Sequence, residues 1–325
     1  MTARIRRAPL AAALAAVASL ALGACTSSSD IENAAAKEAA GPSALVVNTS
    51  PDQDRIHAKK NQDAIDLLPP GLVDDGVLRV ATTPFSAPLD FYADDNKTPI
   101  GNETDIAQLV ADALGLKLEL VPTAWENWPL ATQSGEVDAT LANVTVTEER
   151  KELFDFSSYR VDNLGFLAKA GSDLNVDKPE DVAGHTIAVG SGTNQEKILL
   201  AWDKANQAKG LKPVQVEYYQ TDSDTTLALQ SGRIELSFGP NATAAYKAAT
   251  KPDDFVVVGT VNGGWPDTAQ IAVTTAKGNG LAPAFTAALN GAIADGSYRK
   301  VLQRWGLTSE AIDTSETNPP GLPKS

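Results

Sequence analysis

Between Val77 and Val121 the sequence runs strand, helix, strand, and that order constrains the fold more than any other stretch. Val77-Leu78-Arg79-Val80-Ala81 reads as a first strand. From Thr104 to Leu114 the apolar residues fall at Ile106, Leu109, Val110, Ala113 and Leu114, the i, i+3, i+4, i+7, i+8 spacing of one helical face. Gly115 is placed to end that helix in the left-handed conformation, and Leu116 to Val121 alternates as a second strand. Two strands joined through a helix imply a parallel sheet with helices on its faces, hence an α/β chain.

A second pattern repeats. Gln133-Ser134-Gly135-Glu136-Val137-Asp138-Ala139-Thr140 leads to Asn143-Val144-Thr145, and Gln230-Ser231-Gly232-Arg233-Ile234-Glu235-Leu236-Ser237 leads to Asn241-Ala242-Thr243. Each copy is a helix end, a Ser-Gly turn and a short strand that emerges into a polar loop, which points to two similar lobes. The stretch from about Asp75 to Ile312 is long enough for both. Parallel strands open at their carboxyl ends onto a crevice where ligands bind.

Two segments are expected at that crevice. Thr140 to Tyr159, TLANVTVTEERKELFDFSSY, passes through small hydroxyl and amide residues before Arg150. A planar guanidinium offers a carboxylate two parallel donors and stays charged at any working pH. The alternative for Arg150 is an ion pair with Glu152 or Asp155. Ile187-Ala188-Val189-Gly190-Ser191-Gly192-Thr193-Asn194-Gln195-Glu196 is a strand, a Gly-Ser-Gly turn and a helix start, whose free amides suit an anion. A plain strand-to-helix turn reads the same way, and the spacing and Lys of a P-loop are missing.

The N-terminus reads as a targeting segment. Arg4, Arg6 and Arg7 precede an Ala/Leu-rich run, Pro9 to Leu22, with the layout of a secretory signal. It ends in Leu22-Gly23-Ala24-Cys25, which resembles the lipobox of bacterial lipoproteins. That implies a signal peptide over residues 1–24, a diacylglyceryl group on Cys25, and anchoring outside the cytoplasmic membrane by two or three acyl chains. Residues 25–74, rich in Ala, Ser, Asn, Asp and Lys, read as the lipidated start and a flexible tether. The formal charge of −14 argues against nucleic acid as a partner. Cys25 is the only cysteine, and His57 and His185 are the only histidines. With Cys25 lipidated, a zinc cluster, a Cys–His pair or a Ser–His–Asp set lacks its parts, and no metal or cofactor is expected. Paired carboxylates stay open on composition alone.

From about Val77 to Leu307 the chain resembles the family 3 extracellular solute-binding proteins of ABC importers, the polar amino acid group. The blocks that carry the resemblance come in order. They are Gly101-Asn102-Glu103-Thr104-Asp105, Trp125 to Gly135, Thr147-Glu148-Glu149-Arg150, and Phe154-Asp155-Phe156-Ser157-Ser158-Tyr159. Val189-Gly190-Ser191-Gly192-Thr193, Leu289 to Tyr298, and Trp305-Gly306 complete the set. The resemblance implies a two-lobed periplasmic-binding-protein-like fold, each lobe a mostly parallel sheet flanked by helices, joined by two hinge strands and closing on ligand. Here the hinge strands are expected at Gly165-Phe166-Leu167-Ala168 and Gln270-Ile271-Ala272-Val273. Lobe 1 is then residues 75–164 and 270–312, lobe 2 residues 165–269, and residues 313–325 a C-terminal tail.

The resemblance also implies roles. Arg150 takes the ligand carboxylate, while Asn143, Thr145, Thr193 and the backbone of Ser191, Gly192 and Asn194 hydrogen-bond the ligand. Trp125 forms an apolar wall or, alternatively, packs in the core. The family's usual ammonium-binding Asp is replaced, because Phe238-Gly239-Pro240-Asn241 stands there. Ser86 falls where an aromatic usually stacks, with Phe85 and Phe91 close by to accept a cation on their faces. Glu103, Asp105, Asp222 or Asp224 are left as acidic partners, Asp105 also being suited to cap its helix. The implied protein is a monomeric, non-enzymatic, extracytoplasmic component that captures a small carboxylate-bearing solute and passes it to permease subunits. A receptor for a membrane sensor kinase and a dehydratase-like or murein-cleaving enzyme are the alternatives.

Overall fold

The structure, a computed structural model, describes residues 47–219 and 221–324. The expected signal peptide, Cys25 and the first part of the expected tether lie outside the described residues. A short helix α1 (Gln62–Ile65) precedes β1 (Val77–Thr82). A small hairpin sheet follows, made of β2 (Phe85–Ser86), β3 (Asp90–Tyr92) and β4 (Pro99–Ile100), then helix α2 (Asn102–Leu114) and β5 (Lys117–Pro122). β1 pairs in parallel with β5 from Val77↔Lys117 to Thr82↔Pro122. Gly115, at φ 69°, closes α2 as its spacing predicts, donating to the Ala111 and Asp112 carbonyls. Helix α3 (Trp128–Ser134) leads to β6 (Ala139–Thr140), parallel to β1 on its other side.

The flexible tether is corrected from residue 47 onward. Val47, Ile56, Ala58, Leu68 and Leu72 pack against the lobe 1 core. Arg55 Nη1 pairs with Asp105 Oδ1 at 2.6 Å, and His57 Nδ1 meets Asp112 Oδ2 at 2.7 Å. The reason lies in α2, whose polar side is buried as well as its apolar one. Carboxylates there need partners, and this segment brings them. Its apolar residues follow no period, so the sequence hides them. Asp105 is no cap: Gly101 is the N-cap residue, and Asp105 accepts from Trp305 Nε1 at 2.8 Å.

The junction between lobes is also corrected. β7 (Phe154–Lys169) is a single strand of 16 residues. Its first part, through Asp162, pairs with β12 (Ala269–Ala276), and Asn163 to Lys169 pairs with β11 (Phe255–Asn262). The changeover thus falls at Asp162–Asn163 and in residues 263–268. Gly165 to Ala168 belongs to the lobe 2 sheet, and Gln270 to Val273 to lobe 1. Charged Arg160 and Asp162 interrupt the apolar pattern just where the strand is continuous.

Lobe 2 adds β8 (Thr186–Ala188), helix α4 (Asn194–Ala208), β9 (Gln215–Glu217), helix α5 (Asp222–Gln230), β10 (Leu236–Pro240) and helix α6 (Asn241–Thr250). β8 is parallel to both β9 and β10. The full order is β5-β1-β6-β12-β7-β10-β8-β9, with β11 also on β7. Phe166 and Phe238 stack at 4.0 Å beneath Trp202 in this lobe's core. Helices α7 (Leu281–Asp295) and α8 (Ser297–Trp305) return to lobe 1, burying Phe285, Leu289, Tyr298 and Trp305 in the core that holds Ile106 and Val110. Residues 315–324 do not hang free as a tail. Thr317 bridges Ser157, Leu322 bridges Thr147, and Gly321 N–H donates to Glu148 Oε1 at 2.8 Å. Among the described residues no helix is long and apolar enough to cross a membrane.

Candidate ligand-binding cleft

A cavity of about 360 Å³ separates the lobes. Lobe 1 lines it with Phe85, Asp90, Glu103, Trp125, Asn143, Thr145 and Arg150; Thr193, Asn194, Gln195, Thr221 and Pro240 face it from lobe 2. A rim hollow of about 580 Å³ continues outward past Ser191, Gly192, Glu149 and Lys197, and one of about 190 Å³ runs into lobe 2 past Asp222 and Lys247.

Arg150 is positioned by its own loop. After β6, Asn143 adopts φ 54°, a left-handed turn that Asn tolerates better than most residues. The backbone then returns to lobe 1, with Val146 N–H donating to the Gln270 carbonyl at 2.9 Å. Arg150 N–H donates to Thr147 Oγ1 at 3.0 Å, which opens a 3-10 turn over Arg150–Glu152. Under this loop, Trp128, Val144, Val146, Phe154 and Phe156 form a separate apolar cluster. The guanidinium lies 5.8 Å and 5.9 Å from the Trp125 and Trp128 ring centres, and its Nη1 donates to the Thr145 carbonyl at 2.8 Å. Such stacking stabilises by roughly 0.5–2 kcal/mol.

No carboxylate among the described residues reaches ion-pair distance of Arg150. The two acids the sequence offered it are engaged elsewhere, Glu152 by Lys324 and Asp155 by Lys277. Burial pulls the Arg150 guanidinium below its ordinary value, opposed by the charges of Asp162 and Glu149. The cleft therefore holds a cation that is enclosed, oriented and short of an anion.

The other expected ligands divide. Trp125 lines the cavity and also packs on the apolar cluster. Thr145 Oγ1 donates to Asp162 Oδ2 at 2.8 Å, and Asn143 Oδ1 accepts from Arg160 Nη2 at 2.6 Å. Both side chains line the cavity, but these atoms are already paired within lobe 1. Thr193 caps α4, its Oγ1 accepting from Glu196 N–H at 3.2 Å, and Asn194 Nδ2 donates to the Gly263 carbonyl. Ser191 and Gly192 are exposed and stand at the rim hollow instead of the central cavity. Gly192 N–H is taken by the Glu196 carboxylate at 2.6 Å, so this amide is not offered to an anion. Phe85 is 44% exposed and faces the cavity. Phe91 is corrected: it packs edge-on against Trp305 at 5.9 Å in the lobe 1 core.

Behind the cavity lies a buried polar network that the sequence did not reveal. Arg160 pairs with Glu103 at 2.9 Å and with Glu310, and Tyr159 donates its hydroxyl to Glu103. Asn143 N–H also donates to Glu103, at 3.2 Å. Asp90 was missed as well. It lines the cavity, is 2% exposed, and neither carboxylate oxygen has a hydrogen-bond partner. Burial, and then the charge of Glu103, hold its carboxyl well above the ordinary value. The available signal was an acid set between Leu89 and Phe91 in an otherwise apolar run. Among the described residues no group of three His, Cys, Asp or Glu is arranged to hold a metal ion.

Comparison with known proteins adds independent findings. The family model for bacterial extracellular solute-binding proteins, family 3, matches residues 78–308. The L-cystine-binding protein TcyJ of Escherichia coli strain K12 is 29% identical over 235 residues, 71% of this chain and 82% of that protein. The arginine-binding protein ArgT of Corynebacterium glutamicum is 25% identical over 253 residues, 78% of this chain and 81% of that one. Among solved structures, an ancestral arginine-binding protein bound to arginine superimposes with a TM-score of 0.63 at 28% identity, covering 71% of this chain and 98% of its own.

Proposed function

Because the chain belongs to the bacterial extracellular solute-binding proteins of family 3, we propose that it captures a small carboxylate-bearing solute, an amino acid or a close analogue, for an ABC permease. One observation carries the carboxylate: the Arg150 guanidinium, resting beside the Trp125 and Trp128 rings, faces the cavity without an acidic partner. A ligand carboxylate supplies that anion in fork-to-fork geometry. The amino-acid class is supported by the relatives, whose names record cystine and arginine. Export and anchoring through lipid on Cys25 complete the reading, since a capture protein must stay near its permease. Closure of the lobes is a population shift, set by contacts the ligand makes only in the closed state.

The test is a thermal-shift screen of amino acids and small carboxylates. A solute at about 100 times its Kd stabilises by about 2.7 kcal/mol. Arg150→Ala is expected to abolish the shift while leaving the melting temperature of the unliganded protein nearly unchanged. Unaltered affinity in that variant rules out the carboxylate assignment, and steady consumption of a bound compound replaces binding with catalysis.

A further inference from the structure

The cleft contains a second unbalanced charge, of opposite sign to Arg150. Each acid that lines the cavity or its two extensions has an identifiable circumstance. Glu103 is saturated by Arg160, Tyr159 and the Asn143 amide. Asp222 is paired with Lys247 at 2.6 Å, and Glu149 with Lys197. Glu126 is exposed to water at the cavity edge. Asp90 alone is both buried and without a partner for either oxygen. Thr82 and Thr83 adjoin it, yet neither closes to hydrogen-bond geometry, and the Thr82 hydroxyl is itself unpartnered. A carboxylate withdrawn from water and left unpaired is costly, and a cation entering the cavity removes that cost.

We propose that Asp90 is the cation-binding residue of the cleft, holding a positively charged nitrogen of the same ligand whose carboxylate lies on Arg150. This rests on the carboxylate reading of Arg150 and extends it to a dipolar or basic amino-acid-like ligand. Asp90 belongs to β3 in lobe 1, as the Arg150 loop does. Pro240, facing it from lobe 2, brings no acid. Both charges of the ligand are then gripped by lobe 1, and lobe 2 closes over them with uncharged Thr193, Asn194, Gln195 and Thr221. The exposed ring of Phe85, on the strand β2 that pairs directly with Asp90's strand β3, offers an aromatic face to the same cation. The raised proton affinity of the Asp90 carboxyl, set by burial and then by the Glu103 charge, agrees with this arrangement, because a cation beside it would favour the charged form.

The experiment is calorimetric titration of the full chain with the twenty standard amino acids. Each binder is followed by its 2-hydroxy acid, which lacks the α-ammonium, and basic binders also by a side-chain isostere without charge, such as citrulline for arginine. Asp90→Asn keeps the side-chain shape and removes the charge; Asp90→Ser removes the charge with a smaller group should the first variant not fold. Wild-type protein is expected to bind at least one cation-bearing amino acid, and the variant to lose about tenfold or more in affinity for it. That loss is expected to vanish for the one analogue in which the nitrogen facing Asp90 is replaced by a neutral group. A smaller loss, an equal loss for every analogue, or a wild-type protein that binds no cation-bearing member overturns the proposal. Arg150-dependent binding of the anionic 2-hydroxy acids, indifferent to Asp90, keeps the carboxylate reading and discards this one.

Discussion

Arg160 sits fully buried between Glu103 and Glu310, one guanidinium answering two carboxylates that come from opposite ends of lobe 1. Burial pushes the Glu310 carboxyl above its ordinary value, and the Arg160 charge opposes that shift. Removing the arginine leaves two acids uncompensated, so Arg160→Met is expected to cost roughly 3–5 kcal/mol in urea unfolding. Adding Glu103→Gln and Glu310→Gln to that variant should recover part of the loss, because fewer buried charges then lack partners. Arg150 behaves differently. It stands at the cavity with no acid at ion-pair distance, and its removal is expected to affect affinity far more than stability. Two arginines ten residues apart in the sequence thus stand in different settings, one paired within the lobe 1 core and one at the cavity without an ion-pair partner. Residue type did not separate them; only the position of their carboxylate partners does.

At the scale of elements, the helix from Asn102 to Leu114 was legible because apolar spacing and Gly115 both marked it. Asn143, Thr145 and Arg150 line the cavity, and the run of hydroxyl and amide residues before Arg150 is what marked that loop in the sequence. Three features stayed hidden for physical reasons. Residues 47–72 pack through scattered apolar side chains and long-range ion pairs, neither of which leaves a period. β7 crosses between the lobes with Arg160 and Asp162 inside it, because their partners lie in the protein and not in water. Asp90 escaped notice because a lone acid, even in an apolar run, carries no information on which partners lie near it in space. The packed N-terminal segment is testable. Arg55→Ala strips Asp105 of its 2.6 Å partner and uncovers the polar side of α2. A loss of roughly 1–3 kcal/mol is expected, read by denaturant unfolding. A true tether would show no change.

The whole molecule is two lobes on a pair of crossings, and one ion pair spans the mouth of the cleft, Lys197 of α4 to Glu149 beside Arg150. Both side chains are largely exposed, so the pair is worth about 1 kcal/mol or less. Lys197→Ala is therefore expected to speed ligand release by no more than about fivefold in stopped flow. The difference from wild type should disappear at about 1 M salt, where the screening length falls to about 3 Å. A salt-independent effect would assign Lys197 to direct ligand contact.

The clasp of residues 315–324 on the Thr147–Ser157 segment also sets an order in time. Gly321 holds Glu148 across a separation of 173 residues, and Asn318 holds Asp155 across 163. During synthesis the loop that carries Arg150 leaves the ribosome long before the segment that clasps it, and contacts so distant in sequence form late. The Arg150 loop is consequently among the last parts of the protein to mature. A chain halted before residue 315 would hold most of two lobes and still lack the strap on its Arg150 loop.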